Sequence, residues 1–165
     1  MIIQTYQSQL VLRTLHAGEA YRAKPNLGLR GQYNALIDMF GLHCECPIFA
    51  VVKGKRQNTG GKVSGSVRLT LDVPDEAVHL TEYDEWADFL YAFQFTKPGN
   101  YRSLRPDCEE ISVRRYNQIL ENLQYQKKLN QYACPQVVLE KIEPEWLKSV
   151  KIFGRSGLLM KLLGR

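Results

Sequence analysis

Long apolar runs, internal repeats and a cationic leader are all missing from this chain of 165 residues. No stretch approaches the ~20 apolar residues that a bilayer-crossing helix requires, which excludes a helical membrane protein. The opening MIIQTYQSQL has neither the cationic nor the apolar segment of a secretory signal, so the expected compartment is the cytoplasm. The Gly-rich connection at 53–65, KGKRQNTGGKVSG, lacks the Gly-Lys-Ser/Thr ending of a phosphate-cradling loop. Cysteine is sparse, at Cys44, Cys46, Cys108 and Cys134. His43-Cys44-Glu45-Cys46 spaces its thiols by one residue, whereas structural zinc sites pair them two to four apart. Reduced thiols and no metal are therefore expected.

What is present is the composition of one globular domain with an ordinary core: 44% hydrophobic, 24% charged and 10% aromatic residues. The net charge of +5 conceals a segregation. Residues 1–71 hold nine basic and three acidic side chains, 72–110 three basic and ten acidic, and 111–165 ten basic and four acidic. Such blocks suit a folded protein with opposed faces. The basic ones are either solvated surface or an anion site for a nucleic acid backbone, a dinucleotide phosphate or an acidic protein partner. Lys53, Lys55, Arg56 and Lys62 are the densest cluster, and read as an anion contact or a mobile hairpin tip.

Periodicity predicts a strand over residues 1–7, with Ser8 capping a helix over about 9–17 whose apolar side is Leu10, Leu12 and Leu15 and whose stop is Gly18. Tyr33, Leu36, Ile37 and Phe40 line one face of a second helix that ends at Gly41. Ile48–Val52 and Val67–Val73 read as strands, and Val78–Leu80 as a short one. Thr81 with Asp84 suggests a capping box for a helix over about 82–93, packed through Trp86, Phe89, Leu90 and Phe93. Its carboxylates fit a first turn, where the helix dipole favours them, better than paired acid and base catalysts. Residues 96–106 read as a loop, and Asp107 with Glu110 as the start of a helix over about 108–129. A last strand follows over 136–142, then a helical turn at Pro144. The expected architecture is α+β: one domain over 1–150, mostly antiparallel sheet with flanking helices, then a basic apolar tail at 151–165. Leu158, Leu159, Met160, Leu162 and Leu163 suit that tail to docking on the domain, to an acidic groove or to an anionic membrane surface.

Taken in order, Thr5-Tyr6-Gln7-Ser8 before a helix ending near Gly18, Pro47-Ile48-Phe49-Ala50, the run from Val67 to Glu76, Tyr83-Asp84-Glu85-Trp86 and Gln136 in the last strand form a recognisable series. It resembles an uncharacterised family of bacterial and phage proteins grouped as a domain of unknown function. Phe49-Ala50 stands where a Trp-Ala pair is expected in that family.

The same order is similar to the ADP-ribosyltransferase fold. That resemblance implies NAD as the ligand, with Gln4 or Thr5 near the nicotinamide ribose, Phe49 as the aromatic of a second strand and Gln136 as the polar residue of a late one. Arg22 and Arg30 would meet the pyrophosphate. The implied chemistry is departure of nicotinamide and attack on the exposed ribose carbon, with Thr5 and Gln136 at the reacting end. Gln136 holds a hydroxyl but takes no proton, so Glu140 is the alternative acid, on the same strand face about 13 Å further along. Against this stands a small basic module or inhibitor recognising nucleic acid or an acidic protein in phage–host conflict. In the plainest reading of all, Thr5 is an ordinary strand residue, Phe49 is core and Gln136 satisfies an edge strand.

Overall fold

The computed structural model describes residues 1–55 and 66–153. Its strands are β1 (Ile2–Gln7), β2 (Ile48–Val52), β3 (Val67–Asp72), β4 (His79–Glu82) and, after a small hairpin of β5 (Thr96–Lys97) with β6 (Asn100–Leu104), β7 (Pro135–Leu139) and β8 (Leu147–Ile152), and among the longer strands β-branched residues are densest in β1, β2 and β7. Helices α1 (Gln9–His16), α2 (Arg30–Phe40), α3 (Tyr83–Phe93) and α4 (Val113–Gln124) fill the connections. Six strands make one sheet in the order β4-β7-β2-β1-β3-β8, and every neighbouring pair is antiparallel. This is an α+β domain. Among the described residues no helix is long and apolar enough to cross a membrane.

Period-two alternation sorts the strand side chains onto two faces. Ile3, Ile48, Ala50, Val52, Val67, Leu69, Leu71, Val137 and Leu139 pack into one core together with Val11 and Leu15 of α1. Among the described residues the opposite face is covered at its β7 end, where Val138 and Phe49 meet Leu36 of α2, Trp86 and Phe89 of α3, and Tyr116, Ile119 and Leu123 of α4. The face of α1 is therefore carried by Val11 and Leu15, an i, i+4 pair, and Leu10 is turned 59% to solvent.

Several boundaries differ from expectation. Thr81 lies inside β4 and α3 follows with no intervening turn, so Glu82 occupies the cap position and Thr81 and Asp84 form no capping box. Residues 96–104 are a hairpin and not a loop, turned by Gly99 at φ 72°. Helix α4 starts one turn later than Asp107 suggests: Pro106 and the turn after it keep 105–111 irregular, and Ser112 is the cap, its Oγ accepting from Arg115 N at 3.1 Å. It stops at Gln124, and 129–131 is a separate 3-10 turn. The last strand ends at Leu139. Beyond it, Leu147–Ile152 pairs along β3, so the segment ahead of residue 153 is sheet and not tail. The apolar residues expected to dock, 158–163, lie outside the described residues.

The outer edge of β4 is closed by a side chain. Leu80 N donates to Gln126 Oε1 at 3.2 Å and Gln126 Nε2 donates back to Leu80 O at 3.1 Å, so one carboxamide stands in for a strand partner.

Candidate functional site

The sheet has an internal seam. β1 and β2 are paired only through Ile3 with Val52 and Gln4 with Val51, although β1 continues along β3 to Gln7 and β2 continues along β7. Beyond Gln4 the two central strands part. Thr5 bridges the opening: its hydroxyl donates to Phe49 O at 2.8 Å and accepts from Gln7 Nε2 at 2.8 Å. One side-chain bond thus replaces the missing rungs of the ladder, and the single hydroxyl proton of Thr5 is committed to the backbone.

A cavity of about 500 Å³ opens over this seam. Gln4, Thr5, Phe49 and Gln136, all expected from the sequence to share a site, line it. Tyr6, Tyr33, Tyr83 and Cys134 complete the wall and were not anticipated. Tyr6 was legible in principle, since it follows Gln4 by two positions on β1 and shares its face. Among the described residues no Asp, Glu, Lys, Arg or His side chain lines it.

Aromatic packing sets the shape of the wall. Phe49 is half-buried, 5.6 Å from the Tyr33 ring and 5.7 Å from that of Trp86, and Trp86 stacks in turn on Phe89 at 5.5 Å. Burial raises the Tyr33 phenol above its ordinary range, with the Cys46 thiol adding to the rise, so it is neutral and a donor here.

Hydrogen bonds fix the two carboxamides in opposite senses. Gln136 faces Thr81 and Val51 on its neighbouring strands, so β7 is internal and not an edge. Its Oε1 accepts from Thr81 Oγ1 at 3.2 Å, which leaves the Nε2 donor without a partner among the described residues. Gln4 Nε2 donates to Thr70 Oγ1 at 3.4 Å, which leaves its Oε1 acceptor. The wall at Cys134 is held from below by Glu82, whose carboxylate accepts from Ala133 N at 2.8 Å and Cys134 N at 2.6 Å. The slot thus offers aromatic faces, one amide donor and one amide acceptor.

The other expected site residues lie elsewhere. Glu140 is not on the strand face with Gln136: β7 has ended, the chain bends, and the carboxylate accepts from His43 N at 2.8 Å. Arg22 and Arg30 line two further cavities, of about 600 and 650 Å³, neither of which shares a residue with the seam cavity. Lys53 and Lys55 are exposed just past β2, and Arg56 and Lys62 lie outside the described residues. None of the four cysteines is in a disulfide, and Cys46 and Cys134 are buried. No group of three or more His, Cys, Asp or Glu side chains placed to hold a metal ion occurs among the described residues.

Compared with protein-family models, curated proteins and solved structures, the chain has no significant match.

Proposed function

We propose that this domain binds the nicotinamide end of NAD, a flat pyridinium whose positive charge suits the Phe49 and Tyr33 ring faces, or a related uncharged ring bearing an amide, in the cavity over the β1–β2 seam. One observation supports the reading above all: Gln4, Thr5, Phe49 and Gln136, drawn from three separate stretches of the chain, border a single cavity that carries no charge. A flat ring gains from the Phe49 and Tyr33 walls, and a carboxamide presents its carbonyl to Gln136 Nε2 and its N–H to Gln4 Oε1. Among the described residues no carboxylate borders the cavity to serve as a general base or to hold the ribose, because Gln136 is an amide and Glu140 is bonded elsewhere. The reading is therefore of a binding domain in which ADP-ribosyl transfer has no acid of its own.

The test is the thermal midpoint of the intact chain in NAD, nicotinamide and nicotinate. A ligand held only by the folded state stabilises by about 2.7 kcal/mol at a hundredfold excess over Kd. NAD and nicotinamide are expected to raise the midpoint in proportion to the logarithm of concentration. Nicotinate, which must bring an unpaired carboxylate into an uncharged slot, is expected not to. A flat response to NAD and nicotinamide at millimolar concentration refutes the proposal, as does a Phe49→Ala chain that responds like the wild type.

A further inference from the structure

A second site stands apart from the seam cavity, and its case does not rest on the reading above. The segment from Tyr21 to Ile37 holds Arg22, Lys24 and Arg30 and no acidic residue. All three cations are exposed, and none takes part in an ion pair among the described residues. They flank the 42–45 loop from two sides. Arg22 and Lys24 line a cavity of about 600 Å³, Arg30 one of about 650 Å³, and the two share Leu42, His43, Cys44 and Glu45. The carboxylates nearby are mostly occupied: Asp38 accepts from Tyr101 at 2.6 Å and Arg102 at 2.9 Å, and Glu140 holds His43 N. Two carboxylates line these cavities with the three cations, Asp38 and Glu45, and Asp38 is already paired with Arg102.

We propose that this double cavity around the 42–45 loop is a binding site for a compact polyphosphate, a pyrophosphate group being the minimal ligand. Cations in water-filled concavities meet a small multivalent anion from several directions, and two arginines supply forked donors that match phosphate oxygens. A nucleic acid backbone, being convex and extended, is better served by protruding side chains such as Lys53 and Lys55 than by cations set within hollows.

Cys44 lines both halves of the site and is half-buried, so its alkylation reports occupancy. Cys108, also half-buried, lies outside it and is the internal control. The full-length protein is treated with iodoacetamide, and modification of each cysteine is followed by mass spectrometry with pyrophosphate, with chloride at matched ionic strength, or with a thymidine oligonucleotide. With a Kd of about 1 mM, 10 mM pyrophosphate slows Cys44 roughly tenfold by occupancy. Cys108 is expected to be unaffected, chloride to have no effect, and the exposed pair of changes Arg22→Gln and Arg30→Gln to abolish the protection. Equal slowing at Cys108, equal protection by chloride, or protection surviving in the double variant overturns the proposal. Protection by the oligonucleotide alone overturns it in favour of a nucleic acid surface.

Discussion

Replacing Glu82 tests whether one carboxylate builds the wall of the seam cavity. Glu82 sits at the junction of β4 and α3, and both its oxygens accept backbone N–H groups from the segment entering β7. Hydrogen bonds to a charged group contribute about 1.5–3 kcal/mol each, and less where water competes. The bond to Cys134 N is partly buried and the one to Ala133 N is exposed. Discounting the exposed bond to about 1 kcal/mol leaves a combined loss of about 3 kcal/mol for Glu82→Ala. In urea, with a slope of about 2 kcal/mol/M, that moves the unfolding midpoint down by roughly 1.5 M. Thermally it corresponds to roughly 6–12 °C in a chain of this size. Glu82→Gln keeps one acceptor and turns an N–H donor toward the other amide, so it is expected to lose about half as much. Because the same bonds orient Cys134, Pro135 and Gln136, ligand-induced stabilisation should fall in step with stability. An Ala variant within ~0.3 M of the wild-type midpoint refutes the reasoning, and so does a Gln variant as damaged as Ala.

Three other outcomes follow from local geometry. A Cβ added at Gly31 of α2 would sit 2.8 Å from Phe93 Cζ, so Gly31→Ala should cost about 1 kcal/mol in urea unfolding, and Phe93→Leu in that background should reverse the cost. Gln126→Ala removes both bonds that close the β4 edge, for about 2 kcal/mol, and should speed amide exchange at Leu80 well beyond exchange at Leu139. The Tyr116 phenol is pushed up to about 12 by burial. The folded chain therefore keeps a proton that the unfolded chain loses near the ordinary value of 10.0, and stability falls as pH rises from that value through the folded one. Unfolding followed across that window should show the decline lessened in Tyr116→Phe, and an unchanged slope would count against the burial as described.

The sheet was readable because its strands obey a rule that the sequence displays directly. The alternation in Val67-Arg68-Leu69-Thr70-Leu71 and the apolar run Ile48–Val52 encode burial on one face and on both, and both became strands within a residue of expectation. Elements set by tertiary partners were not readable. Thr81 followed by Asp84 satisfies the local pattern of a cap, yet pairing of β4 with β7 takes Thr81 into the ladder, where its hydroxyl meets Gln136. Leu10, Leu12 and Leu15 outweigh Val11 by count, but the sheet meets α1 along the Val11–Leu15 line. Within the site, the grouping of Gln4, Thr5, Phe49 and Gln136 came from a fold resemblance and not from any local pattern in the residues. Tyr33 and Tyr83 come from helices whose docking angle no single segment specifies. Glu140 failed for a simple reason: period-two spacing extends a face only while the strand lasts, and β7 stops one residue short.

The charge blocks acquire an explanation from the same packing. The acidic block is consumed in joining α3 to its neighbours: Glu82 holds the approach to β7, Glu85 accepts from Asn122 of α4 at 2.8 Å, and Asp88 pairs with Arg115 of α4. Asp72 and Asp75 meet the N-terminal ammonium, and Asp72 also meets Lys148 of β8. Five of the seven carboxylates from 72–88 thereby find partners within their own half of the molecule, Glu76 and Asp84 being the exceptions among the described residues. None of these pairings reaches the segment from Arg22 to Arg30, whose cations are left facing water around the 42–45 loop. A chain that neutralises its acids locally in this way keeps a directed positive field at one place despite a net charge of only +5. Placing an acid near that loop, for example Asn34→Asp on the wall shared with Arg30, should therefore weaken pyrophosphate protection of Cys44 while leaving the free energy of unfolding in urea within ~0.5 kcal/mol of the wild type. Loss of protection accompanied by a larger loss of stability would instead mean that the cations of 22–30 are bound into the fold.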